Sequence, residues 1–300
     1  MTDLPEVGPW AKIKLEALAR YLDFYTTVLK NQHWQTIYFD AYAGGGRAVI
    51  RGDGRSLAGS PSLFDEVEPE IRELVDGSPR VALACANPFD RYVFVDPDPR
   101  RAAELNELRA EFGASQVITV RQETASQGVA WIVSQDISRR SHRGVAFLDP
   151  FGAALEWASI QALADTGLFE VVVNFALSMA IQRMLPNSGN VPDSWAATLD
   201  RFFGNRAWFE EVYQRRDDGL FDEGGYEKRQ NYSERLLELY RARLKAVFGF
   251  VSAPRLIRNT RGAPLYFLLW AGPNKKGLEG ANYILKMGER MGRGSNNRHH

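Results

Sequence analysis

The sequence predicts a doubly wound α/β sheet, mostly parallel, with a helical insertion and a C-terminal hairpin. Three observations carry this. Short β-rich runs alternate with helix-patterned segments from Thr36 to Phe175. The runs are continuously apolar, as strands covered on both faces are. They also end in distinctive polar residues, Asp40, Asp96, Asp149 and Asn174, while Glu123 follows the remaining run. Open α/β sheets bind ligands at the carboxyl ends of their strands, so this placement marks a crevice.

Leu15, Leu18, Ala19, Leu22 and Tyr25 recur at helical spacing and predict an amphipathic helix within Pro9–Lys30. Thr36–Asp40 (TIYFD) reads as the first strand and runs into a glycine cluster. Arg47–Ala58 reads as a polar loop, after which Ser60-Pro61 opens a helix, serine as its cap and proline in its first turn. Tyr92–Val95, Val117–Val120, Val145–Leu148 and Glu170–Phe175 supply further strands, and Arg100–Phe112, Thr124–Ser134 and a segment from Ser159 supply helices. Ala176–Arg243 breaks the alternation. Leu236, Leu237, Tyr240 and Leu244 share one helix face there, which predicts an inserted helical subdomain with Trp195 and Trp208 in its core. Val247–Ser252 and Leu265–Trp270, joined by a basic turn at Arg258–Gly262, predict the closing hairpin. The expected organisation is an N-terminal helical segment (1–35), a cofactor-binding core (36–175), the inserted subdomain (176–245), C-terminal strands and helix completing the core (246–287), and a flexible basic tail (288–300).

Composition narrows the function. The 300 residues hold 37 Lys+Arg against 37 Asp+Glu and are 45% hydrophobic, an ordinary globular balance. Cys85 is the single cysteine, which excludes a disulfide framework, a cysteine zinc site and an iron–sulfur cluster held by this chain alone. It reads as a packing residue. Two of the four histidines are the last two residues, so no metal site is expected, and His142 reads as a surface residue. The cysteine usage, an N-terminus without a signal-peptide pattern and the lack of a long apolar run predict a cytoplasmic protein with no membrane segment. Net neutrality hides an asymmetry. Pro254–His300 holds nine Lys/Arg against Glu279 and Glu289, whereas Asp65–Asp76 holds six acids and one arginine. A basic region attracts phosphates, making nucleic acid a candidate partner.

The glycine cluster is Asp40-Ala41-Tyr42-Ala43-Gly44-Gly45-Gly46. No Walker A pattern is present. A dinucleotide fingerprint needs a third small residue where Val49 stands, which argues against a nicotinamide enzyme. The remaining ligand pattern is acid-x-x-x-Gly-x-Gly, which suits S-adenosylmethionine. Asp40 would neutralise the ammonium of its methionine moiety, and Ala43, Gly44 and Gly46 would let the backbone approach. A glycine-rich turn without a ligand has the same pattern. Asp96 suits the ribose hydroxyls or a helix cap, and Glu123 suits an adenine amino group or solvent. Asp149-Pro150-Phe151-Gly152 is the candidate catalytic turn. Asp149 would accept a hydrogen bond from a target amino group, Pro150 would aim it, and Phe151 would stack on a planar substrate. A plain strand-to-helix turn uses the same residue types.

At these residues the chain resembles the three-Cys-motif partner family, TcmP. The resemblance runs in order through WxxIKLxxLxxYL (Trp10–Leu22), FDAYAGGG (Phe39–Gly46), GSP (Gly59–Pro61), FVDPD (Phe94–Asp98), FLDPFG (Phe147–Gly152), VVNF with a later QR (Val172–Arg183) and PLYFLLWAG (Pro264–Gly272). It implies a Rossmann-like class I methyltransferase fold and a partner that carries a three-cysteine motif, an iron–sulfur or radical-type protein. More distantly the chain is similar to bacterial ribosomal-RNA adenine-N6 methyltransferases of the large subunit. That similarity implies Asp40, Gly44 and Gly46 at the methionine end of the cofactor, Ser60 near its carboxylate, Asp96 at the ribose and Asp149 as the catalytic polar residue. Those enzymes carry Asp-Pro-Pro-Tyr where this chain has Asp-Pro-Phe-Gly. Asn174 and Arg183 match the partner-family pattern, Asn174 toward the crevice and Arg183 toward a substrate phosphate or an acid partner. Two functions therefore stand: methyl transfer to an amino nitrogen of a nucleic acid, or a non-catalytic module that docks the three-cysteine protein in a phage-linked or DNA-processing system.

Overall fold

The computed structural model describes residues 6–50, 73–216 and 225–294, with side chains through residue 287. Its strands are β1 (Glu6–Val7), β2 (Gln35–Asp40), β3 (Arg47–Ile50), β4 (Glu73–Asp76), β5 (Arg91–Val95), β6 (Val117–Arg121), β7 (His142–Leu148), β8 (Phe169–Phe175), β9 (Tyr213–Arg215), β10 (Tyr226–Lys228), β11 (Phe250–Val251), β12 (Arg255–Arg258) and β13 (Pro264–Gly272). Its α-helices are α1 (Trp10–Leu29), α2 (Ser78–Leu83), α3 (Pro99–Phe112), α4 (Ala125–Val133), α5 (Trp157–Asp165), α6 (Asp193–Phe203), α7 (Trp208–Val212), α8 (Tyr232–Phe248) and α9 (Lys275–Gly294).

The central sheet runs β6-β5-β2-β7-β8-β13, with β11 and β12 both paired to the far side of β13. The pairs from β6 through β8 are parallel, whereas β13 is antiparallel to β8 and to both outer segments. The order reverses between β2 and β7, the topological switch point. Strand residues alternate between the faces. Ile37, Phe39, Val93, Val95, Ala146 and Leu148 pack with α4–α8, and Tyr38, Tyr92, Phe94, Val145 and Phe147 pack with α1, α2, α3 and α9. Both faces are covered, hence the unbroken apolar runs.

The inserted region shares the first of these cores. Tyr240 of α8 stacks on Phe202 of α6 at 5.1 Å, meets Phe175 of β8 at 4.8 Å and stands edge-on to Trp157 of α5 at 5.7 Å. The insertion is thus anchored to the sheet by aromatic contacts, and it carries a two-stranded ribbon, β9–β10, as well as helices. Trp208 is fully buried as expected, but Trp195 is 41% exposed and is a surface residue of α6.

Other expectations change too. Arg47–Ile50 is a strand, not loop, because Val49 and Ile50 pair with β1 while Arg47–Ile50 runs antiparallel to β4. The helix expected from Ser60 lies outside the described residues. Val247 and Phe248 end α8 instead of opening the hairpin, whose outer arm is β12. The basic tail expected from 288 is helical to Gly294. Cys85 is partly buried and its thiol is pushed up to about 12, chiefly by burial, which fits a packing role.

Candidate active site

The last residue of β2, Asp40, lies between Phe94 of β5 and Phe147 of β7, at the switch point. Its carboxylate is fully buried. Oδ2 accepts from the Tyr38 hydroxyl at 3.1 Å, Oδ1 accepts from the Tyr42 N–H at 3.2 Å, and the Ser78 hydroxyl also donates to it. Burial raises this carboxyl to about 7 against those hydrogen bonds, and the Asp149 charge adds to the rise. Asp40 therefore braces the start of the glycine loop and does not project into the crevice.

The loop itself is built on glycine. Gly44 and Gly46 have φ of 63° and 82°, which side-chain-bearing residues seldom adopt. A Cβ on Gly44 would meet nothing within 4 Å, so the backbone is open to a ligand there. A Cβ on Gly45 would strike the Glu104 carboxylate, which lies against the loop from α3. The Gly46 carbonyl accepts from Gly77 N–H at 2.8 Å, which joins the loop to the start of α2.

Asp96, just past β5, is 2% exposed. It accepts from Gly44 N–H at 3.1 Å and from Asp98 N–H at 2.9 Å, and Arg101 lies 3.6 Å away. The helix cap is Asp98, which accepts from the N–H groups of Arg100 and Arg101. The Arg101 guanidinium also sits 5.2 Å over the ring of Phe151, itself 70% exposed. Arg101 thus ties the Asp96 end of the crevice to the Asp149–Gly152 turn.

At that turn, Asp149 accepts from the Lys14 ammonium through Oδ2 and from Asn174 Nδ2 at 2.6 Å through Oδ1. Lys14 belongs to α1 and lies 5.7 Å over the Tyr266 ring of β13. The Tyr266 hydroxyl and Asn174 Oδ1 are buried without a hydrogen-bond partner. Burial, and secondarily Asp149, drives the Tyr266 phenol upward.

The structure so brings together Asp40, Ala43, Gly44, Gly46, Asp96, Asp149, Phe151 and Asn174, with Pro150 buried beneath the turn. Glu123 is held by Arg121 through two hydrogen bonds, and Arg183 is exposed on a 3-10 turn, Ile181–Met184; neither bonds to the cluster. Ser60 lies outside the described residues. Sequence reasoning missed Lys14, Ser78, Arg101, Glu104 and Tyr266. Lys14 had a signal, the IKL of Ile13–Leu15, but a lysine on a helix face ordinarily reads as solvated.

A sheet ordered β6-β5-β2-β7-β8-β13-β12, with β13 antiparallel and a glycine loop after its central strand, is a Rossmann-like class I methyltransferase fold. No protein-family model matches the chain, and no curated protein matches it at significance. Among solved structures, LPL1258 of Legionella pneumophila, of family DUF519, is 15% identical at a TM-score of 0.45, covering 88% of this chain and 97% of its own. The candidate methyltransferase yhhF of Escherichia coli is 14% identical at 0.32, covering 69% and 83%. A methyltransferase from Geobacter sulfurreducens is 12% identical at 0.29, covering 76% and 92%. The fold class rests on the strand order and the antiparallel β13. No described helix is long and apolar enough to cross a membrane, and the described residues hold no cluster of metal-ligating side chains.

Proposed function

We propose that the chain is an S-adenosylmethionine-dependent methyltransferase that acts on an amino nitrogen of a nucleic acid, the chemistry that its more distant similarity to the ribosomal-RNA adenine-N6 methyltransferases implies. The observation that supports it is the Asp149 carboxylate at the switch point, already accepting from an amine, Lys14, and an amide, Asn174. A target amino group would take the place of Lys14.

The residues present fit the cofactor. Its sulfonium is cationic, and Asp96, Glu104 and Asp149 border the crevice beside the open backbone at Gly44. Gly44 would face it and Asp96 would take its ribose hydroxyls, while Asp40 and Ala43, the latter 4% exposed with its N–H donating to the Val95 carbonyl, would hold the loop. When bound, it supplies a methyl group on an electrophilic sulfur. The chain's own part is positional. Asn174 fixes one oxygen of Asp149, so the other meets the target N–H and turns the nitrogen lone pair away from it. Phe151, exposed and braced by Arg101, offers a stacking face for a flat base. Arg101 must share itself between Asp96 and that ring.

Calorimetric titration of S-adenosylmethionine and its demethylated product tests the reading. Wild-type protein binds both and Asp96→Ala loses them; a folded wild type that binds neither overturns it. Once an acceptor is found, Asp149→Ala retaining full turnover overturns the role given to Asp149.

One observation favours a second reading. Asp149 and Asp96 both have their oxygens occupied by protein donors, as a non-catalytic module would. Such a module would dock a three-cysteine-motif protein. Co-purification with that protein, without methyl transfer, supports it.

A further inference from the structure

The opposite end of the sheet carries a feature that methyl transfer does not use. Arg139 and Arg140, leading into β7, Arg143 at the start of β7, where it pairs with β2, and Lys275, opening α9, line a cleft of about 530 Å³. Arg139, Arg140 and Lys275 are exposed, and none of the four cations forms an ion pair among the described residues. Arg143 donates to the carbonyls of Arg139 and His142; burial lowers its guanidinium pKa, Tyr25 opposes that, Arg139 adds to it and Glu170 opposes it. Lys275 and Lys276 stand at the start of a helix, where the macrodipole repels cations. Like charges are therefore gathered where the fold disfavours them.

The acid that lines the cleft, Glu170, interacts with Arg143 but lies beneath the exposed cations. It is 8% exposed and its Oε2 accepts from the Tyr21 hydroxyl and from Trp270 Nε1 at 3.3 Å. Burial raises its carboxyl to about 7.

A smaller cavity of about 110 Å³ adjoins the cleft and shares Arg143, Glu170 and Asn274 with it. Phe24, Val28, Leu29 and Trp34 form its apolar side, and Lys276 also lines it. The Arg143 guanidinium lies 4.0 Å over the Trp34 ring, which His33 also meets at 4.6 Å, so a base would enter beside this cluster and not on a bare ring face. An apolar notch with cations on both sides suits a base flanked by two phosphates.

We propose that this face binds a single strand of nucleic acid, phosphates along Arg139, Arg140, Lys275 and Lys276 and a base in the Trp34 notch. Basic grooves interleaved with aromatic side chains hold single strands in this way. The proposal is independent of methyl transfer, because it sits at the amino ends of the strands and the glycine loop at their carboxyl ends.

The test is fluorescence anisotropy of a labelled oligothymidylate with the full chain, in wild type, Arg140→Glu, Lys275→Glu and Arg109→Glu. Arg109 is exposed on α3 and serves as the control for the same change in net charge. Either cleft variant is expected to weaken binding about tenfold or more and to flatten the salt dependence by roughly 0.7 for each phosphate the variant no longer neutralises, with Arg109→Glu near wild type. Equal loss in all three variants, or none, overturns the proposal. So does competition in which inorganic phosphate binds the cleft and the oligonucleotide does not. Retained titration with S-adenosylmethionine in Arg140→Glu, alongside abolished oligonucleotide binding, supports a separate site whatever the fate of the methyl-transfer reading.

Discussion

At the carboxyl end of the sheet the crevice is bordered by acids, Asp96, Glu104 and Asp149, and two basic side chains, Lys14 and Arg101, reach in to pair with them. At the amino end the cleft is bordered by arginines and lysines, and the one acid is sunk beneath them. Each end has a buried carboxyl raised to about 7: Asp40 under the glycine loop and Glu170 under the basic cleft. The buried acids are alike; their surroundings differ. One end is thus lined by acids that Lys14 and Arg101 partly neutralise, the other by cations without an ion pair among the described residues, the second suited to phosphates.

Removing the buried acids probes the comparison most strongly. Glu170→Ala leaves the Tyr21 hydroxyl without its acceptor, while Trp270 Nε1 still donates to the Tyr21 oxygen at 2.6 Å. The stranded hydroxyl and the vacated volume cost about 3 kcal/mol together. Urea denaturation measures it. A cost under about 1 kcal/mol would mean that the Tyr21–Trp270 bond alone holds that end.

Titration comes next. Both carboxyls ionise at about 7 in the fold, against ordinary values of 3.8 for Asp40 and 4.5 for Glu170. The folded protein then holds more protons than the unfolded chain between those limits. Stability accordingly falls as pH rises from about 4 to about 7, by at most about 1.4 kcal/mol per pH unit per group, and is level above. Asp40→Asn and Glu170→Gln each remove one share. Thermal melts at about pH 5 and about pH 8 report it. A wild type equally stable at both, with variants unchanged, would mean that neither carboxyl is raised; an effect carried by one variant alone would break the symmetry between the ends.

The lysines should separate the two ends. Lys14→Met takes one of two donors from Asp149, in a pair whose side chains are 14% and 22% exposed, and should cost about 2 kcal/mol. Lys275→Met removes an exposed cation with no acid partner among the described residues and should change stability by no more than about 0.5 kcal/mol. Equal losses in denaturation would mean that Lys275 is paired like Lys14.

The carboxyl end was the more legible in sequence. Strand-end acids and glycines announce themselves, because few residue types tolerate the φ of Gly44 and Gly46 or fit a β-to-loop turn. Lys14 and Arg101 were not legible: each reaches its acid from a helix, and only the packing of α1 and α3 decides which lysine or arginine arrives. The amino-end cleft was hidden for a related reason. Its cations come from 139–143 and 275–276, and sequence alone counts the second group with a basic terminus. β3 was missed because its partners, β1 and β4, lie far apart in the chain and its period-2 signal spans four residues.

Phe151 offers the finest distinction. Its ring is 70% exposed, and its described neighbour is the Arg101 guanidinium at 5.2 Å. A structural side chain this exposed contributes little, so Phe151→Ala should alter stability by no more than about 0.5 kcal/mol. If the ring stacks on a base, the same change removes about 1–3 kcal/mol of acceptor binding. Transfer of radiolabel from methyl-labelled S-adenosylmethionine into bulk nucleic acid should then drop roughly tenfold, while Arg140→Glu at the other end leaves turnover on short acceptors unchanged. A Phe151→Ala protein that melts several degrees lower would place the ring among the packing residues. The crevice would then have to select its substrate through the Asp149–Asn174 pair alone.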